Sequence, residues 1–135
     1  MTRLALLLGI LAAYAAVLGR GPAARAFGGR GFDVTSPQAA AVEQFIAAGR
    51  LDEALPIAKS LRAKYPDEPQ VAYWIATVQQ RLGHDAEAAE AWSEYVQTSA
   101  APGDACPWWP EAYVASSQPD RARTAVAKCD EWTRR

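Results

Sequence analysis

From Thr35 onward the apolar positions recur at helical intervals, in pairs of stripes broken by short polar turns. Ala41, Val42, Phe45 and Ile46 keep a period near 3.6 residues and stop at Gly49. A second stripe, Leu51, Leu55, Ala58, Leu61 and Tyr65, stops at Pro66. The alternation returns with larger side chains in Val71, Trp74, Ile75, Val78 and Leu82, then Gly83, then Ala86, Ala89, Trp92 and Val96. Ser36-Pro37 reads as an N-cap with proline at the first helical position, Gly49 as a stop, and Asp52 as the cap of the next helix. Pro56 falls in the first turn of that helix, where backbone N–H groups lack an intrahelical partner and proline is tolerated. The pattern predicts antiparallel helix pairs.

Ahead of this region the pattern is different. Leu4 to Gly19 reads LALLLGILAAYAAVLG, sixteen residues without a charge between Arg3 and Arg20. A soluble helix is not apolar on every face. At 1.5 Å per residue the run reaches about 24 Å, short of a hydrocarbon core of about 30 Å, so it spans a bilayer only with snorkelling or local thinning. Two readings stand. A cleaved signal peptide fits the basic start and Ala24-Arg25-Ala26 after Gly21-Pro22, with cleavage before Phe27; an uncleaved anchor fits the length of the run. Arg3 and the amino terminus stand against Arg20, Arg25 and Arg30, so loop charge does not set an orientation. The chain therefore divides into a signal or anchor segment (1–26), a glycine-rich tether (27–35) and a helical domain (36–135).

Comparing the domain with itself exposes a period. Gly49-Arg50-Leu51-Asp52-Glu53-Ala54 returns as Gly83-His84-Asp85-Ala86-Glu87-Ala88 and, more weakly, as Ser117-Gln118-Pro119-Asp120-Arg121-Ala122, each 34 residues on. Ala41, Ile75 and Trp109 share a register, as do Phe45, Gln79 and Tyr113; Ala58, Trp92 and Val126; and Leu61, Tyr95 and Cys129. Small residues at Ala54, Ala76, Ala88 and Ala122 mark close helix approaches. Such a period signals stacked units rather than one unbroken core. Through GRLDEAL, its counterpart GHDAEAA, and Pro66, the region from Thr35 to Trp132 resembles the tetratricopeptide repeat family. The resemblance implies an all-α fold, a right-handed superhelix of about three antiparallel helix pairs (units 36–68, 69–102 and 103–135), preceded here by an apolar N-terminal helix. The third unit departs from the pattern, with Ser117 for the turn glycine and Pro110 in its first helix, which is expected to be short and to start near Pro107.

Cys106 and Cys129 are the only cysteines, and both lie in the third unit. In an antiparallel pair the start of one helix faces the end of its partner, which makes a disulfide geometrically reasonable and favours it over two free buried thiols. Closing that loop stabilises by about 3 kcal/mol and clamps a repeat that has no following neighbour. Disulfides persist outside the cytosol, so the bridge and the apolar segment agree on an extracytoplasmic, periplasmic-side location, anchored in or secreted across an inner membrane.

Composition narrows the functions. A chain of 135 residues excludes a large multidomain enzyme, and 50% apolar with 21% charged residues excludes disorder throughout. Basic and acidic groups number 14 and 15, but the first thirty residues hold four arginines and no acid, leaving the rest at about −5. Such a surface repels phosphate, so no nucleic acid is expected as partner. The single histidine, His84, falls in a turn without a nucleophile in register, and no Cys-x-x-Cys occurs; neither a catalytic constellation nor a metal or cofactor site is expected. Glu87, Glu90 and Glu94 read as a solvated face.

The family resemblance implies a concave surface, built mainly by the first helix of every unit, that holds peptides or protein segments. By register it presents Glu43, Ile46, Gln70, Tyr73, Thr77, Gln80, Arg81, Glu111 and Val114. Only Arg81 is basic, so the family's carboxylate-gripping variety is not expected. Trp108 and Trp132 belong to an aromatic set in the last unit and are candidates for a docking patch. The expected function is a noncatalytic protein-interaction or assembly scaffold of the bacterial envelope, with a protein or peptide partner, and with the membrane itself through Leu4–Gly19 if that run is retained. The alternative is a permanent accessory subunit of a membrane complex, bound through the N-terminal helix and the repeat surface.

Overall fold

The computed structural model describes residues 31–135. The apolar run, its cleavage and orientation, and the first four residues of the tether (27–30) lie outside the described residues. From Val34 to Arg135 the chain forms one compact unit. Among the described residues there are six α-helices and no strand: α1 (Pro37–Ala47), α2 (Leu51–Lys64), α3 (Pro69–Arg81), α4 (Asp85–Thr98), α5 (Trp109–Ala115) and α6 (Pro119–Thr133), with a 3-10 turn at Pro102–Ala105 before α5. Each helix packs on the next in sequence, and the 3-10 turn packs on α4 and α6.

The helix starts follow local chemistry. Ser36 Oγ accepts from the Ala39 N–H at 3.3 Å with Pro37 in the first turn, and the Glu68 carboxylate accepts from the Gln70 N–H at 3.4 Å ahead of Pro69. At α2 the reading needs correction: the cap position is Arg50, which makes no side-chain cap bond, Pro56, the sixth helical residue, lies beyond the expected first turn, and Asp52 lies one residue inside the helix. There, with Glu53, it opposes the positive end of the helix dipole.

The three turns between paired helices are built alike. Gly49 N–H donates to Ile46 O at 3.1 Å and Arg50 N–H to Phe45 O at 2.8 Å; Gly83 and His84 repeat this on Gln80 and Gln79 at 3.1 and 2.9 Å; Ser117 and Gln118 repeat it on Val114 and Tyr113 at 3.0 and 2.8 Å. This double bond closes a helix only when the residue after the cap is left-handed, and Gly49, Gly83 and Ser117 have φ of +73°, +78° and +60°. Ser117 accepts the strained conformation that glycine takes freely.

Ala54, Ala58, Ala76 and Ala88 have no exposed surface, which lets the helices meet closely, and Trp92, Ile75, Val42, Val71 and Val78 are the largest fully buried side chains. Ala86 is exposed, in contrast to the expected stripe. Val126 is 47% exposed although Trp92, at the same register, is 2% exposed and packs on Tyr73 and Gln80 of α3. The first helix of the third unit is short as expected, but starts at Trp109 rather than near Pro107. Continuing it backward would put Pro110 in a helix interior, where its ring collides with the preceding turn.

The acidic row on α4 is not purely solvated. Glu94 accepts from Arg62 Nη1 of α2 at 3.5 Å and Glu90 from Arg121 Nη1 of α6 at 2.8 Å, so ion pairs join the second helices of successive units. His84 is exposed, yet its Nδ1 lies 2.7 Å from Oε1 of Gln79, the one buried polar side chain among the described residues. The turn histidine thus supplies the partner that a buried amide requires.

Candidate functional site

Gln70, Tyr73, Thr77, Gln80 and Arg81 occupy one face of α3, as their spacing of three, seven, ten and eleven residues requires. At 1.5 Å per residue that face runs about 16 Å from Gln70 to Arg81. The Tyr73 ring meets Trp92 edge-on at 5.4 Å and Tyr95 at 5.7 Å, both from α4, so the tyrosine is braced from behind while remaining 36% exposed. Trp92 Nε1 donates to Gln80 Oε1 at 3.0 Å and holds that carboxamide. Arg81 Nη1 donates to the Ile46 carbonyl at 3.2 Å, which leaves further donors of the exposed guanidinium free for a ligand.

Opposite this face stands Trp108, 45% exposed, in the segment between the 3-10 turn and α5. Tyr73, Thr77, Gln80, Arg81, Trp92 and Trp108 enclose an open hollow of about 250 Å³. A second hollow adjoins it through the shared Tyr73 and is bounded by Gln70, Tyr95, Gly103, Asp104 and Pro107. The Cys106–Cys129 disulfide, with Cα atoms 5.6 Å apart, ties the segment carrying Pro107 and Trp108 to α6.

Five of the nine groove residues expected by register thus gather along α3. Ile46 contributes its carbonyl to Arg81, while Glu43 on α1 and Glu111 and Val114 on α5 are exposed but border neither hollow. The two tryptophans of the expected docking patch separate. Trp108 joins the groove, whereas Trp132 stacks on the buried Trp109 at 6.1 Å with an interplanar angle of 18°. Trp109 in turn donates from Nε1 to Ser93 Oγ at 3.1 Å.

Sequence reasoning missed Trp92, Tyr95, Asp104 and Pro107 as groove walls. For Trp92 and Tyr95 a signal was present: folding the α3–α4 hairpin about Gly83 places Tyr73 opposite both. Asp104 and Pro107 carry no periodic mark, being in an irregular segment.

Chemically, the arrangement offers aromatic faces, two carboxamides, the hydroxyls of Thr77 and two tyrosines, a guanidinium and the Asp104 carboxylate. Among the described residues no group of His, Cys, Asp and Glu has metal-binding geometry. The Glu53 carboxylate, accepting from the Arg50 guanidinium at 2.6 Å, raises that group's pKa further; neither residue lines a hollow.

Successive antiparallel hairpins, closed by one turn motif and leaving a groove along a first helix, define a helical-repeat protein. The family model of the tetratricopeptide repeat matches residues 45–104, from the end of α1 into the 3-10 turn, and over that span the chain is similar to that family. Repeats of this family generally mediate protein–protein interaction or assembly, and the family is typically a noncatalytic scaffold. No curated protein and no solved structure matches the chain significantly. No helix among the described residues is long and apolar enough to cross a membrane.

Proposed function

We propose that the chain is a noncatalytic scaffold that holds a segment of another protein in the groove along α3, on the extracytoplasmic side of a bacterial envelope. The observation that carries this reading is the hollow between Tyr73 and Trp108, where two exposed aromatic side chains flank hydrogen-bonding groups on a braced helix face. The Cys106–Cys129 bridge supports an oxidising compartment, and the uncharged run Leu4–Gly19 supports export or anchoring.

Crosslinking followed by affinity recovery tests the groove. A Tyr73→Ala, Trp108→Ala chain is expected to lose most of the partner that the wild type recovers; equal recovery rejects the reading. Alkylation of the unreduced protein tests the compartment, since labelling of both thiols removes that support.

A second reading, a permanent accessory subunit of a membrane complex, draws on the apolar side chains that the last hairpin leaves open, Val114 at 64% and Val126 at 47% exposed. Copurification at a fixed ratio that survives detergent extraction favours it; loss of the partner in a salt wash favours the scaffold.

A further inference from the structure

The two hollows share Tyr73, and their walls carry opposite charge. Arg81 borders one hollow with no carboxylate among its walls, and Asp104 borders the other with no base among its walls. Neither residue joins an ion pair among the described residues, so both charges are open to a ligand. Between them lie Tyr73, Trp92, Tyr95 and Trp108, an apolar stretch with hydrogen-bonding groups at Gln70, Thr77 and Gln80. The α3 face is about 16 Å long, the reach of about five residues of extended chain.

Resting on the groove reading above, we infer the chemistry of the bound segment: a short extended stretch with one bulky apolar residue seated between Tyr73 and Trp108. It carries a carboxylate on the Arg81 side and a cationic side chain on the Asp104 side. The argument is charge complementarity at both ends of an apolar seat. A guanidinium and a carboxylate left without ion-pair partners make a like-signed segment costly at one end whichever way it lies, whereas a segment of mixed sign is favoured at both. The aromatic walls supply affinity, because braced rings offer contact area at little entropic cost. The charges supply direction.

The test uses the full chain in detergent and a set of immobilised seven-residue peptides, serine at all positions but three. Position four is Trp, Leu or Pro, and positions two and six are Lys/Glu, Glu/Lys, Lys/Lys or Glu/Glu. One of the two mixed-sign orders is expected to bind at least tenfold more tightly than both like-signed sets. The Arg81→Glu, Asp104→Lys chain is expected to prefer the opposite order. An Arg81→Gln chain, which keeps a donor for the Ile46 carbonyl, is expected to lose discrimination at that end while its melting is unchanged. Like-signed peptides binding as well as mixed ones, or a doubly reversed chain with the original preference, overturns the inference. If no peptide binds while Tyr73→Ala, Trp108→Ala still abolishes partner recovery, the charge pattern is overturned and the groove stands. If the peptides bind that variant as well as the wild type, both fall.

Discussion

The middle hairpin, α3–α4, and the last, α5–α6, occupy the same repeat register yet are stabilised differently. The middle one has a neighbour on each side. It buries Val71, Ala72, Trp74, Ile75, Ala76, Val78 and Gln79 on α3 alone, and Trp92 of α4 packs on Tyr73 and Gln80. The last one has a seven-residue first helix, and its second buries only Ala122, Ala125 and Cys129. Where apolar burial is thin, the disulfide and the stacked Trp109–Trp132 pair replace it. A register position therefore specifies which way a side chain points, and the residues that lie across from it decide whether it is buried.

Swapping the burden of equivalent positions gives the largest expected effect. Trp92→Ala should cost about 3–5 kcal/mol in urea unfolding, and it should also free Gln80. Val126→Ala, at the same register, should change stability by no more than about 0.5 kcal/mol. Comparable losses at both sites would show that the end of the stack is covered in solution.

Removing the bridge comes next. A Cys106→Ala, Cys129→Ala chain should lose about 3 kcal/mol, since the bonded residues lie 23 apart in sequence. Hydrogen exchange should speed up in α5 and α6 well before α3 and α4. Uniform acceleration would mean that the last hairpin does not open separately.

The smallest effect compares turns. Gly83→Ala should destabilise by about 1 kcal/mol through its φ of +78° alone, because a Cβ there meets nothing within 4 Å. Ser117→Gly should stabilise by about the same amount, read as a shift in the denaturation midpoint, since Ser117 holds a φ of +60°. A null result at Ser117 would mean that the serine is stabilised locally in some way that glycine is not.

What is legible in the sequence follows from short-range chemistry. Helix periodicity, Ser36-Pro37, Gly49 and Gly83 place α1 to α4 closely, because capping and turn preferences act within a few residues. The face of α3 that carries Tyr73, Thr77, Gln80 and Arg81 follows from the same periodicity. Less was readable where proline-rich chain interrupts the pattern, between Thr98 and Trp109, and that segment brings Asp104, Pro107 and Trp108 to the groove.

By itself, then, the sequence determined the hairpins, their 34-residue repeat and the polarity of each helix face, all consequences of local backbone and side-chain preferences. Only the tertiary structure decided that Trp108 faces Tyr73 while Trp132 packs on Trp109, that Glu90 and Glu94 pair with Arg121 and Arg62, and that Val126 stays bare. Those outcomes depend on which surface lies across a gap of a few ångströms, and residues distant along the chain supply that surface.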